Sequence, residues 1–255
     1  MKDDLQHFFE LLFSMTAKEL QARYKNTLFG FLWLIANPML QMLIIGYIFP
    51  LFIAETVAHY NYYLLTGLLA WNFFSFSFSK ATTSIVNERS LFKKAVFPRA
   101  VVPCSIILSN LVNYVAAFLI FLVPLIFLGT LTNLSLLYFL CGFLLLVGFT
   151  IGISLLTSAL NVRYRDISFF VQAVLIVWFY ASPIIYSLSQ IPHNLLWMWR
   201  FNPLTSSLQL MQHAFVNTDL PGPAMLASNL AATIAVLLLG ITIFRKESKN
   251  FDDWL

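Results

Sequence analysis

Acid–base or metal chemistry needs carboxylates, histidines or cysteines that meet at workable spacings, and this chain of 255 residues offers few such meetings. Adjacent acids occur only at Asp3-Asp4 and Asp252-Asp253, both in the tails. His7, His59, His193 and His213 are scattered over different segments, and Cys104 and Cys141 sit inside apolar runs without a CxxC spacing. The cysteines read as small buried hydrophobes, and no metal is expected. No Gly is followed by Lys, so no GxxxxGK[ST] loop can cradle a phosphate. Charge gathers instead in NERSLFKKAVFPR, Asn87 to Arg99. On a helix, Leu91, Phe92, Ala95 and Val96 fall on one side and Arg89, Lys93 and Lys94 on the other. Glu88 falls in the first turn, where the helix dipole favours an acid, and Pro98 ends the helix. A helix of this kind either anchors its basic face to lipid or seats as a knob in a partner's groove.

The elements that must position this stretch are apolar. Hydrophobic residues make up 60% of the chain, aromatic ones 16% and charged ones only 10%, a balance that belongs in a bilayer. A spanning helix takes about 20 apolar residues, and six runs qualify: about Phe29 to Phe52, Tyr62 to Phe78, Val101 to Leu128, Leu134 to Leu160, Ile167 to Ser187 and Ala224 to Phe244. GTLTN at Gly129 to Asn133 divides the uncharged stretch between Arg99 and Arg163. Of 15 basic residues only Arg200 falls on one side of such a six-span layout. The positive-inside rule therefore puts the other side, both termini and the opening stretch in the cytoplasm. The net charge of +4 is a topology signal rather than a nucleic-acid surface. The first apolar run follows a long charged segment, which reads as an encoded start and not as a cleaved signal peptide.

Several features mark individual segments. Leu5, Phe8, Phe9 and Leu12 recur at helical spacing before the first span, an amphipathic helix on the inner leaflet that either anchors to the membrane or docks a partner. Asn37 and Pro38, with Gln41 a turn later, bend the first span. Gly148 and Gly152 form a GxxxG in the fourth, which predicts close helix packing. Between spans five and six, Leu204, Leu208, Met211 and Phe215 make one stripe, and Trp197 and Trp199 suit the headgroup level. Two short helices dipping into the outer leaflet fit, with Asn202 and Pro203 at the turn between them. Asp166 is placed to cap the fifth span.

Ion-coupled transporters hold Asp, Glu, His, Lys or Arg inside the membrane, and the six proposed spans contain none of these. Glu55 and His59 lie in the loop after span one and read as solvated. A transporter built from this chain would need another polypeptide to hydrolyse nucleotide. The competing class is a membrane-embedded transferase acting on lipid-linked sugars, for which tail carboxylates are a poor acid–base set.

Across nearly its whole length the chain resembles the permease subunits of type-2 ABC exporters for lipid-linked O-antigen, capsular or teichoic acid polysaccharides. The resemblance rests on RYKNTLFGFLW at Arg23 to Trp33 with Asn37-Pro38, on NERSLFKKAVFPR, on LNVRYRDI at Leu160 to Ile167, on SPIIY at Ser182 to Tyr186, and on FNPLT at Phe201 to Thr205. It implies an all-α integral membrane protein with three parts: an interface helix over 1–28, a six-helix transmembrane domain over 29–244, and a cytoplasmic tail over 245–255. It also implies a coupling helix carrying Glu88, Arg89, Leu91, Phe92 and Lys93, and outer re-entrant helices between spans five and six that help close the exit. Implied partners are a second copy of the chain, two ATP-binding subunits that hold ATP and Mg, lipid-linked polysaccharide and membrane lipid. The implied setting is a bacterial inner or plasma membrane. The resemblance places spans one and five along the path, where Trp33, Tyr47, Trp178, Phe179, Tyr180 and Tyr186 could stack on sugar rings without gripping them; packing or lipid-facing roles are the alternative. Arg163 and Arg165, with Asp166, are candidates for recognising an anionic headgroup at the inner mouth. A small-molecule or drug efflux permease of the same superfamily is the alternative transport reading.

Overall fold

The computed structural model describes residues 2–25, 30–51, 59–92, 97–127 and 133–254. Within them the chain forms eleven α-helices and no strand: α1 (Lys2–Tyr24), α2 (Trp33–Ile48), α3 (Tyr60–Asn87), α4 (Arg89–Phe92), α5 (Val101–Phe127), α6 (Asn133–Arg163), α7 (Ile167–Tyr180), α8 (Leu196–Arg200), α9 (Leu204–Val216), α10 (Pro223–Glu247) and α11 (Phe251–Trp254). Helices are what so apolar a chain can form, because they satisfy every interior backbone group within one segment. Each of the six apolar runs overlaps a helix. Among the described residues three helical segments have both the length and the hydropathy to cross a membrane: Val101–Val123, Ser135–Arg163 and Pro223–Asn250. The protein is thus built as a membrane-integral bundle.

The remaining three runs differ for physical reasons. α3 has 28 residues but a more polar make-up, because it is the buried centre of the bundle and packs on α2, α5, α6, α7 and α9. Its threonine hydroxyls bond back to the helix. Thr66 donates to Tyr62 O at 2.8 Å and Thr82 to Phe78 O at 2.7 Å, while Thr82 also meets Thr157 of α6 at 2.7 Å. Phe74, fully buried, stacks on Phe78 and Phe149 with ring centroids 5.5 and 6.0 Å apart. α2 has 16 residues and holds the expected Pro38, with short 3-10 turns at Gly30–Leu32 and Phe49–Leu51 on either side. Phe29, Phe52 and Glu55 lie outside the described residues, as does most of GTLTN.

α7 stops at Tyr180, after 14 residues. The expected span continued to Ser187, but the chain from Ala181 to Tyr186 is irregular. At about 1.5 Å per residue α7 covers roughly 21 Å, short of a hydrocarbon core of about 30 Å.

Glycine contacts set two helix crossings. Gly152 faces α10, where an added Cβ would lie 2.6 Å from the backbone N and Cα of Leu237, and Gly240 approaches Gly152 in return. The GxxxG spacing thus marks a real close contact. Gly142, which has no such partner in the sequence, lets α9 approach: its Cβ would sit 2.6 Å from Ser207 O. The α9 stripe of Leu204, Leu208, Met211 and Phe215 is buried as expected, but so is nearly all of α9, twelve of its 13 residues. Expectation and structure differ at the cysteines as well. Cys141 is exposed on the outside of the bundle and Cys104 is half-buried, so neither is the fully buried hydrophobe its setting suggested.

Candidate functional site

The fold brings the charged segments to one end. Lys18 of α1 pairs with Glu88, the residue between α3 and α4, at 3.1 Å. Arg99 donates to Ser248 O beyond α10 and lies over the Phe251 ring, 5.7 Å from its centroid. Arg163, at the end of α6, lies over Tyr164 at 5.1 Å and over Trp254 of α11 at 5.4 Å. A separate apolar cluster of Ile85, Val102, Leu155, Ala159, Val162, Phe244 and Phe251 joins these segments beneath the charges. Lys18, Arg99 and Arg163, far apart in sequence, therefore stand on segments that the fold joins at one end.

α1 docks on this end by a polar route. Thr16, buried, donates to Leu12 O at 2.7 Å and reaches Ser105 O at 3.5 Å. Arg23 donates to Asn110 Oδ1 at 2.7 Å, and the Tyr24 hydroxyl meets Asn113 Oδ1 at 2.9 Å. Phe9 and Phe13 stay exposed. Of the residues assigned to coupling, Arg89 is exposed and Leu91 half-buried on α4. Lys93 lies outside the described residues, and Phe92 is the last residue of α4. Arg165 and Asp166 are exposed. Asp166 occupies the cap position of α7 without a side-chain capping bond, because its own backbone is already helical (φ −66°, ψ −19°) and turns the carboxylate away from the first amides.

At the opposite end, the irregular chain after α7 is held by side chains that hydropathy could not reveal. Four backbone carbonyls freed by the end of the helix find donors. Tyr63 Oη reaches Pro183 O at 3.0 Å and Tyr186 O at 2.7 Å, and Gln212 Nε2 donates to Pro183 O at 3.1 Å. The Tyr60 hydroxyl donates to Ile185 O at 2.7 Å, and Asn202 Nδ2 to Ala181 O at 3.0 Å. Asn202 also donates to Ser182 Oγ at 3.0 Å and accepts from Trp178 Nε1 at 2.9 Å and Leu204 N at 3.1 Å. The SPIIY and FNPLT motifs therefore meet, with Asn202 as the pin. Irregular backbone survives at membrane depth only when protein groups satisfy it, and here they do. Sequence reasoning placed Asn202 in a turn and missed Tyr60, Tyr63 and Gln212 altogether. Polar residues inside otherwise apolar helices were the available signal.

The six aromatic candidates divide into two groups. Trp33, Tyr47 and Tyr180 are exposed. Trp178 packs edge-on against Phe74 at 5.4 Å and Phe149 at 5.7 Å, and Phe179 against Trp71 at 5.4 Å. The Tyr186 hydroxyl donates to Tyr180 O at 2.6 Å and accepts from Trp199 Nε1 at 3.1 Å. Exposed apolar side chains cover the outer faces of α2 and α7, with Leu43, Ile44 and Tyr47 on one and Phe169, Phe170 and Ile176 on the other.

A helical bundle with three helices long and apolar enough to cross a membrane, and with a basic end knitted to its terminal helix, defines an integral membrane protein. The chain belongs to the ABC-2 type transporter family, whose description matches residues 10–216. It is similar to the O-antigen export system permease protein RfbA of Klebsiella pneumoniae, with 32% identity over 100% of this chain and 98% of the relative. The protein of the same name from Myxococcus xanthus is 30% identical over 97% of this chain and 96% of its own. The polysialic acid transport protein KpsM of Escherichia coli is 22% identical over 89% of this chain and 90% of its own.

Proposed function

We propose that the chain is the membrane-spanning subunit of an ATP-driven exporter that moves lipid-linked polysaccharide out of the cytoplasm across a bacterial inner or plasma membrane. End-to-end similarity to permeases named for O-antigen export carries the reading. Six spans, both termini in the cytoplasm and the basic end facing inward follow from the positive-inside rule. The chain holds no motor of its own, so ATP and Mg reside in a separate ATP-binding subunit and the chain is no enzyme. Two permeases with two such subunits form the working unit, since one six-helix bundle can hardly surround a glycan.

Force enters at Glu88, Arg89, Leu91, Phe92 and Lys93, and α1 shares that docking face through Lys18. The path runs between facing copies along α2 and α7. Trp33, Tyr47 and Tyr180 stand on those helices with exposed rings, while Trp178, Phe179 and Tyr186 shape the wall from behind. Arg163, Arg165 and Asp166 lie at its inner mouth. The test is reconstitution in vesicles with the ATP-binding subunit from the same organism and a fluorescent lipid-linked glycan. Expected is glycan protected from external glycosidase only with both proteins and ATP. Accumulation with the lone permease, or none with the complete system, overturns the reading.

A further inference from the structure

A cavity of about 300 Å³ opens between α1, α2, α3 and α5; it shares Trp33 and α2 with the proposed path, and its other walls belong to helices that the path does not use. Its walls differ along its length. Leu69, Phe73, Phe76 and Trp33 make an apolar part, while Arg23, Lys80, Asn110 and Asn113 make a polar one. The polar part lies at a definite depth. Twenty uncharged residues, 60–79, open α3 before Lys80, which at about 1.5 Å each is about 30 Å, the thickness of the hydrocarbon core. On the topology proposed above, on which this inference rests, Lys80 sits where the inner-leaflet headgroups begin.

The polar groups of the cavity leave hydrogen bonds unmade. Asn110 is 3% exposed and Asn113 5%. The Arg23 guanidinium can only donate, so it takes Asn110 Oδ1 and fixes the amide with Nδ2 turned the other way. That Nδ2 has no partner, and neither does Asn113 Nδ2 nor the buried Tyr114 hydroxyl on the same wall. Buried donors left unmade cost about 1–3 kcal/mol each, a cost that an acceptor between them removes. Two cations face this point. Burial first and Arg23 second depress the Lys80 ammonium below its ordinary range, with the Glu19 carboxylate opposing them. An anion between Arg23 and Lys80 would relieve that repulsion and accept from the amides.

We propose that this cavity seats the phosphate of an inner-leaflet lipid, with Arg23, Lys80, Asn110 Nδ2 and Asn113 Nδ2 on the head and the Trp33, Phe73 and Phe76 wall on the first part of the chain. Basic clefts between membrane helices at the cytoplasmic side take anionic heads in this way. The occupant is a phospholipid or a polyprenyl diphosphate, which share a phosphate ester on a hydrocarbon tail. The site does not depend on which cargo the protein carries.

The test is native mass spectrometry of the full-length protein released from nanodiscs of phosphatidylcholine with phosphatidylglycerol, with and without undecaprenyl diphosphate. Lys80→Gln removes one cation. Asn110→Asp keeps the acceptor that Arg23 uses but sets a carboxylate where the phosphate would be, so α1 stays docked. Wild-type protein should hold one more phosphate lipid than either variant, with retention at least about tenfold stronger. Displacement of bound phosphatidylglycerol by equimolar undecaprenyl diphosphate assigns the seat to the latter, and persistence assigns it to phospholipid; either supports the proposal. Equal retention in wild type and both variants, no retained lipid in wild type, or complete displacement by millimolar inorganic phosphate overturns it.

Discussion

Asn202 uses its full hydrogen-bonding capacity, with two bonds accepted at Oδ1 and two donated from Nδ2. No apolar residue of similar size can replace it without leaving the Trp178 indole N–H, the Leu204 amide and the Ala181 carbonyl unmatched in a region poor in water. Asn202→Leu is expected to destabilise the protein by about 3–5 kcal/mol. Thermal unfolding in nanodiscs, followed by tryptophan fluorescence, measures this. Trp178→Phe removes only one of the donors and is expected to cost about 1 kcal/mol from the hydrogen bond alone. Combining Trp178→Phe with Asn202→Leu should cost less than the sum of the two, because the groups share a bond. Strict additivity would show that the pin is not energetically real.

The elements were legible from the sequence to different degrees, and chemistry explains which. Apolar run length located six helices because lipid-exposed and core positions are both apolar, so α5, α6 and α10 begin and end within a few residues of expectation. The same uniformity hid the end of α7: Ser182 to Tyr186 is uncharged, and hydropathy cannot tell a helix from an irregular segment held by Tyr63 and Gln212. A stripe is visible in the sequence of α9 and reads as amphipathic, whereas burial of its polar residues depends on α6 and α3 closing around it. The glycines allow a sharp comparison within one helix. At Gly152 an added methyl meets backbone that cannot turn aside, at 2.6 Å, whereas at Gly148 it meets Thr233 Cγ2 at 3.4 Å. Gly152→Ala is therefore expected to lose about 1–3 kcal/mol through separation of α6 from α10. Gly148→Ala should be neutral or slightly stabilising, since Ala favours helix by up to about 1 kcal/mol. Thermal midpoints of the two variants in the same nanodiscs decide it, and equal losses would contradict a crossing of α6 and α10 centred on Gly152.

At the scale of the molecule, the two ends have different jobs to do, and the link between α1 and α4 is where they can be told apart. Lys18 and Glu88 are both partly solvated, so their pairing contributes only about 0.2–1 kcal/mol to stability. Its importance is geometric: it ties the terminal helix to the short helix proposed to receive force from the ATP-binding subunit. Glu88→Lys is therefore expected to leave folding nearly unchanged while cutting ATP-driven glycan transport in vesicles by about tenfold or more, a loss of transition coupling of about 1.4 kcal/mol. Lys18→Glu in the same chain restores the pair with its signs exchanged and should recover at least half of the transport. Wild-type transport by Glu88→Lys alone would remove this corner from the force path. Failure of the exchanged pair to recover, with both proteins folded and both assembled with the ATP-binding subunit, would instead show that Glu88 acts on that subunit directly and that α1 is only its neighbour.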